Sequence, residues 1–491
     1  MSGRLYVIII PSTTHPCPGG GALLNIGIIS INSHTKVLNP ASPLHSYVFQ
    51  QFLLQNGYDS TIIDYKPIYY GRSDVAVREP LVWRAQRPGE DLAKHTEDMR
   101  RWAQLYEARK VRFDKFKEFV DTHYKQTDKC YTPKLLDEED PGFDTYMCVT
   151  DIIWKNNPVN GFDPGFTLAS KCMEGKKKVA YAASRGAQKY TPEREPILLS
   201  RMADFDFISV RESSFKKYID GVLDCEVPVV ADPVFLEPKA FYEDLAKKPD
   251  YVPENGYVLF YLAMNPNQKL LKLAKDYAAS KGLELIELSE YPDDAKLPEG
   301  SAPHKVIYDI GPDEWLWYLL HSDMTFTNSF HACVLSMIGH KQFISGFRGG
   351  DKVDLLLDRF GLLWRKVQSD KVEDLKDLPP IDFSEVQPKL DAYVAESAAW
   401  VLDALKHLET HDHTPMLTAE ELEARQAALS ARIDADRRAE EEKKRAEEEE
   451  KARIAAEKEA ARLAEERKLK VRIRHVLGRI RRALIRFLES L

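Results

Sequence analysis

One alternation, repeated along most of the chain, restricts the fold more than any other feature. A short apolar run is followed by a seam of small or polar residues and then by a segment whose apolar positions recur at helical spacing. Short runs without polar alternation fit strands buried on both faces of a parallel sheet, and parallel strands require long crossovers, usually helical. "IGIISI" (26–31) reads as such a strand, "PLHSYVFQQFLLQNG" (43–57) as a helix closed by Gly57, and "YDSTIIDY" (58–65) as the next strand. This is a βαβ unit. A charged helical insertion over 90–125 precedes candidate strands in "FDTYMCVTDIIW" (143–154), "KKVAYAAS" (177–184) and "FDFISV" (205–210). The expectation is an N-terminal Rossmann-like domain over 23–240, after a Pro/Gly-rich leader at 1–22.

A second series starts at "GYVLFYLA" (256–263). It continues through the helix "QKLLKLAKDYAASKG" (268–282), the strand "LELIELS" (283–289) and the helix "PDEWLWYLLHS" (312–322). It predicts a C-terminal Rossmann-like domain over 255–375, with an amphipathic crossover helix at 384–410 tying the two together. The class is therefore α/β, and the cleft between the domains is where a ligand belongs.

From Thr418 the composition turns abruptly to Ala, Glu, Lys and Arg, with Thr418 and Glu421 spaced as a capping box. The spacing predicts a long charged helical tail over 418–491. Its middle, 436–468, holds few apolar residues for a coiled-coil seam, which favours a solvated spacer helix. Its end differs: over 470–491, Ile473, Val476, Leu477, Ile480, Leu484, Phe487 and Leu488 share one face, bordered by arginines. Such a basic amphipathic helix fits an anionic membrane surface, or equally the apolar face of another protein helix.

At 491 residues and 44% hydrophobic content the chain can build more than one core. A formal net charge of −8 provides no global attraction for nucleic acid. The six cysteines are scattered without CxxC pairs, the pattern of a reduced, cytoplasmic protein. "LYVIII" stops at Pro11, too soon for a signal sequence, and no apolar run approaches the roughly 18 residues of a membrane span, so the expected membrane contact is peripheral. Walker A, GxGxxG, GxSxG and zinc-type Cys/His spacings are all missing, and no metal is expected.

Three seams carry candidate chemistry. In "TFTNSFHACVLSMIG", Asn328 or Ser329 can cap a helix that places His331 in its first turn, where free N–H groups and the helix dipole favour a phosphate or carboxylate. The alternative is a structural histidine bonded to a neighbouring loop. In "FDFISVRESSFKKYI", Arg211 stands at a strand's carboxyl end, suited to bidentate recognition of an anion or, equally, to pairing with Glu212 or another local acid. "FRGGDKVDLLLDRFGL" adds Arg348 and Lys352 on a glycine-containing loop.

Taken in order, "PLHSYVFQQFLLQNGYDSTIIDY", "VTDIIW", "KKVAYAAS", "DFISVRESS", "VADPVFL" and "GPDEWLWYLLHSDMTFTNSFHACVLSMI" resemble the polysaccharide pyruvyl transferase family over 24–365. The resemblance implies a GT-B-like arrangement of the two Rossmann-like domains. It implies phosphoenolpyruvate as donor, with no separate cofactor, and a sugar of a polysaccharide or lipid-linked oligosaccharide as acceptor. It also implies His331 as the catalytic residue, with Arg211 and Lys352 binding substrate, and the seams themselves add Asn328, Ser329 and Arg348 as candidate substrate-binding residues. Two segments depart from the family pattern, Asn39–Ser42 and Val149–Trp154, which predicts an altered acceptor pocket. Two alternatives stay open: a nucleotide-sugar glycosyltransferase on the same fold, and a non-catalytic relative that recruits partners through its tail.

Overall fold

The computed structural model describes residues 24–32, 34, 38–67, 89, 91–157, 160–186, 189–263, 267–289, 303–347, 350–368, 371–375 and 378–490. The leader at 1–22 and Arg348 lie outside them.

In the first half, β1 (Ile26–Ser30) passes through α1 (Ala41–Gln55) into β2 (Ser60–Ile62). Gly57 does close α1: its φ of +84° lets its N–H reach Leu54 O while the Tyr58 N–H reaches Leu53 O, so two end carbonyls are satisfied. The charged insertion forms α2 (Leu92–Gln104) and α3 (Tyr106–His123), and α4 (Pro133–Glu138) follows. Then come β3 (Thr145–Val149), β4 (Lys177–Ala183), α5 (Glu195–Met202), β5 (Phe207–Val210) and α6 (Ser213–Leu223). The sheet is parallel, in the order β2-β1-β3-β4-β5.

The second half contains α7 (Lys239–Leu245), β6 (Tyr257–Tyr261), α8 (Gln268–Lys281), β7 (Glu284–Leu288), β8 (His304–Ile307) and α9 (Pro312–His321). It continues with β9 (Met324–Thr327), α10 (Phe330–Ile338), β10 (Phe343–Gly346), α11 (Lys352–Arg359) and β11 (Lys366–Val367). Its sheet is also parallel, in the order β11-β10-β9-β6-β7-β8. Both sheets reverse their strand order internally, β1 against β3 and β6 against β9, and in such sheets ligands bind beyond the carboxyl ends of the strands. The fold is α/β, with two Rossmann-like halves in a GT-B-like arrangement.

Two helices belong to both cores. In α1, Ala41, Leu44 and Val48 join the apolar cluster around α9 and α10, while Phe49, Phe52 and Leu53 join that of β1 and β3. In α12 (Phe383–Thr410), Val386, Leu390 and Tyr393 pack with the second half and Val401, Leu405 and Leu408 with the first. Burying each such large aliphatic side chain contributes about 1.5–3 kcal/mol, so the halves are held by shared apolar surface. The insertion adds an ion pair, Lys115 Nζ to Glu314 Oε2 at 2.8 Å, between α3 and α9. Met1–Leu422 accordingly forms one compact unit.

The tail, Glu423–Leu491, is a separate unit. It lies almost wholly within α13 (Ala419–Leu488), 70 residues or about 105 Å of helix. Thr418 and Glu421 form the expected capping box, Thr418 N–H to Glu421 Oε2 at 2.8 Å and Glu421 N–H to Thr418 Oγ1 at 3.3 Å. Spaced ion pairs such as Arg453–Glu450 and Arg462–Glu459 line its middle, as expected of a helical stretch that is polar all round. No described helix is long and apolar enough to cross a membrane.

Candidate active site

The carboxyl ends of the strands deliver a set of charged side chains to one place. Beyond β3 the chain turns through Thr150 and Asp151, whose φ values of 44° and 55° are left-handed. Residues without glycine's freedom hold that conformation at a cost of order 1 kcal/mol or more each, and such strain collects at functional sites. β5 ends at Val210 and presents Arg211, and a bridge from Val210 to Val229 leads the chain to Asp232. From the other sheet, β9 ends at Thr327 and the following turn starts α10, where Ser329 Oγ accepts the Ala332 N–H at 3.3 Å. His331 is the second residue of that helix.

Asp232 is the hub. Its Oδ2 accepts from Thr150 Oγ1 at 2.8 Å and from Arg211 Nη1 at 2.8 Å, and stands 3.5 Å from His331 Nε2. Arg211 also donates Nε to Glu212 Oε1 at 2.9 Å, keeps Nη2 3.5 Å from Asp151 Oδ1, and lies 4.8 Å over the Phe330 ring. One buried guanidinium thus faces three carboxylates. Burial pushes the Asp232 carboxyl up, but His331, Arg211 and His45 outweigh it and hold it well below the usual carboxylate range. Burial likewise opposes ionisation of Asp151, and Arg211, Lys352, His331 and His45 hold it at about 2. Both acids are ionised at neutral pH.

Beside this network His45, on α1, stacks on His331 with ring centroids 6.0 Å apart. Burial pushes the His45 ring down to about 4, so it is neutral at physiological pH. His45 Nε2, His331 Nε2 and Arg211 Nη2 are buried without a hydrogen-bond partner. Buried polar atoms are normally satisfied, and three nitrogens that lack a hydrogen bond in one network, two of them with only a 3.5 Å ion-pair contact, are what a polar ligand would complete.

Of the residues singled out in the sequence, His331 and Arg211 fall within this network. Lys352 opens α11, with Nζ 6.0 Å from the Phe330 centroid, and lines with Arg211, Glu212, Phe330, Arg359 and Tyr393 a cavity of about 390 Å³. The acidic partners left open for Arg211 are Glu212, Asp232 and Asp151. Asn328 Oδ1 accepts the Ala263 N–H at 2.9 Å, which fixes the start of α10 against the end of β6, and Ser329 is the cap. Pro40 of the departing segment sits at the N-cap of α1, where a missing N–H is tolerated. Sequence reasoning assigned no role to Asp232, Asp151 or His45. Asp232 did leave a signal, since a carboxylate inside the apolar run "VPVVADPVF" must be paired to be buried.

A family model described as polysaccharide pyruvyl transferase matches residues 44–347. No curated protein matches at a significant level. Among solved structures, the chain is similar to UDP-N-acetylglucosamine 2-epimerase from Rickettsia bellii, with a TM-score of 0.43, 8% identity, and 79% of this chain and 97% of that one covered. The Neisseria meningitidis UDP-GlcNAc 2-epimerase bound to UDP-GlcNAc has a TM-score of 0.42 and 7% identity, with 78% and 99% covered. Arabidopsis thaliana UGT89C1 complexed with quercetin has a TM-score of 0.37 and 10% identity, with 83% and 100% covered.

Proposed function

The chain belongs to the polysaccharide pyruvyl transferase family, and from that premise we propose that it moves the enolpyruvyl group of phosphoenolpyruvate onto two hydroxyls of one sugar, forming a pyruvate ketal. The observation that carries this reading is the contact of His331 with the ionised Asp232, in the network that holds Arg211 beside the Lys352 cavity. A histidine held against a carboxylate is placed to give or take a proton during a reaction.

The reaction balances with this one acid. Protonated His331 gives its proton to the methylene carbon, making it a methyl, while a sugar hydroxyl bonds to C2. The hydroxyl's proton returns to the neutral imidazole. A second hydroxyl of the same sugar then bonds to C2 as the C2–O bond to phosphate breaks, and phosphate leaves with the remaining proton. Lys352 and the helix start at Asn328–Ser329 neutralise the donor's phosphate and carboxylate, and Arg211 holds Asp151 and Asp232 in place.

The acceptor in this proposal is a surface polysaccharide or its lipid-linked precursor, reached from the cytoplasmic face of a membrane. The exposed apolar stripe of α13, including Val476 at 55%, Leu484 at 55% and Leu488 at 66% exposure among its arginines, supports a tail that lies on an anionic leaflet. The test of the donor is calorimetric titration of phosphoenolpyruvate into the wild type and His331→Ala. Binding by both, with phosphate release only by the wild type when a sugar acceptor is present, is the expected outcome. Binding of a nucleotide-sugar and none of phosphoenolpyruvate would replace this reading with glycosyl transfer.

A further inference from the structure

At the carboxyl edge of the first sheet three donor groups meet that the chemistry above does not use. His34 follows β1, Asp64 follows β2, and Cys130 lies in the segment that returns from α3. His34 Nε2 is 2.5 Å from Asp64 Oδ1 and 3.5 Å from Cys130 Sγ, and all three donor atoms lie within 4.8 Å of one another. We propose that His34, Asp64 and Cys130 form a binding site for one zinc-class divalent metal ion, with three protein ligands and one open position.

The geometry separates this from a nucleophilic triad. In a Cys-His-Asp triad the thiol and the carboxylate engage opposite nitrogens of the imidazole. Here both crowd the same Nε2, and one nitrogen offers a single proton or a single lone pair. Three donors converging on a common volume are instead the arrangement of ligands around an ion. With Zn–N, Zn–O and Zn–S bonds of about 2.0–2.3 Å at tetrahedral angles, neighbouring N and S atoms stand about 3.6 Å apart and N and O atoms about 3.4 Å. The observed N–S separation of 3.5 Å is close to that value, and the N–O separation of 2.5 Å has to widen by somewhat under 1 Å.

The backbone holds two of the donors, Asp64 and Cys130, beside each other. Tyr131 N–H bonds to Asp64 O at 2.6 Å, Lys66 N–H to Tyr131 O at 2.8 Å, and Asp64 N–H to Thr127 Oγ1 at 3.0 Å. These bonds stitch the segment of Cys130 to that of Asp64. A bound cation would take the Cys130 thiolate and the Asp64 carboxylate as ligands together. No metal-ligand spacing shows in the sequence because the donors come from positions 34, 64 and 130, which only the sheet brings together.

The test uses the full-length chain. Iodoacetamide labelling of Cys130, mapped by mass spectrometry, is expected to slow about ten-fold or more when zinc is added, with labelling of Cys225 unchanged. Cobalt(II) is expected to give a near-ultraviolet thiolate charge-transfer band that disappears in Cys130→Ser and weakens in His34→Gln, both checked for native circular dichroism. Zinc-independent labelling of Cys130, or a cobalt band that persists in folded Cys130→Ser, overturns the site.

Discussion

His331 Nε2 stands 3.5 Å from Asp232 Oδ2, the same oxygen that accepts Arg211 Nη1 at 2.8 Å. The carboxylate therefore contacts the guanidinium and the imidazole through one oxygen. Asp232→Asn keeps the shape and removes the charge. Pyruvyl transfer is expected to fall about 100-fold, because the proton-transferring imidazole loses the charged neighbour that it contacts. An undiminished rate in a folded variant means that Asp232 does not act through His331.

Arg211→Ala is expected to cost stability before it affects chemistry. The guanidinium is buried among Glu212, Asp232 and Asp151, and removing it leaves carboxylates uncompensated. Breaking a buried ionic cluster from one side costs about 3–5 kcal/mol. Urea unfolding of the variant measures this directly, and a loss under about 1 kcal/mol would contradict it.

Lys352→Ala separates donor binding from folding. The residue is half-buried at the start of α11 beside the cavity. Loss of a charged hydrogen bond worth about 1.5–3 kcal/mol weakens phosphoenolpyruvate binding about 10- to 100-fold. Calorimetry reads the affinity, and a melting temperature close to wild type is expected alongside it. Unchanged affinity removes Lys352 from the donor site.

His45 makes the fold sensitive to mild acid. In the unfolded chain the ring takes a proton near its ordinary value of 6.5, whereas burial in the folded protein delays this to about 4. Its contribution is therefore fully present above pH 6.5 and lost progressively as pH falls towards 4. The difference is worth about 3 kcal/mol. In His45→Gln the decline of unfolding free energy across that window is expected to shrink by a similar amount, as measured by chemical denaturation at a series of pH values.

Deletion of residues 470–491 tests the tail. Each Lys or Arg near an anionic surface adds about 1 kcal/mol, so co-sedimentation with phosphatidylserine-containing vesicles is expected to be lost. Phosphate release with a soluble acceptor should remain. Undiminished vesicle binding by the truncated chain rejects an interfacial role.

Where an element depends on local chemistry, it was readable from the residues that build it. Gly57 stops α1 because the left-handed residue after a helix favours glycine. Ser329 starts α10 because its hydroxyl satisfies an end amide, which also places His331 in the first turn. Gly339 is a different case: its φ is −74°, the left-handed residue is His340, and a Cβ on Gly339 would come within 2.6 Å of Leu320 Cδ2. That glycine answers to packing between α9 and α10, which no local pattern reveals.

The sequence by itself determined the alternation of strands and helices, the capped charged tail and the positions of His331, Arg211 and Lys352 at strand or helix ends, because periodicity and capping act within a few residues. Only the tertiary structure decided what those side chains meet. Asp232 comes to His331 and Arg211, His45 stacks on His331, and His34 joins Asp64 and Cys130, through parallel pairing of strands far apart in the chain. Charge and ligation depend on distance in space, and long-range sheet registry sets that distance.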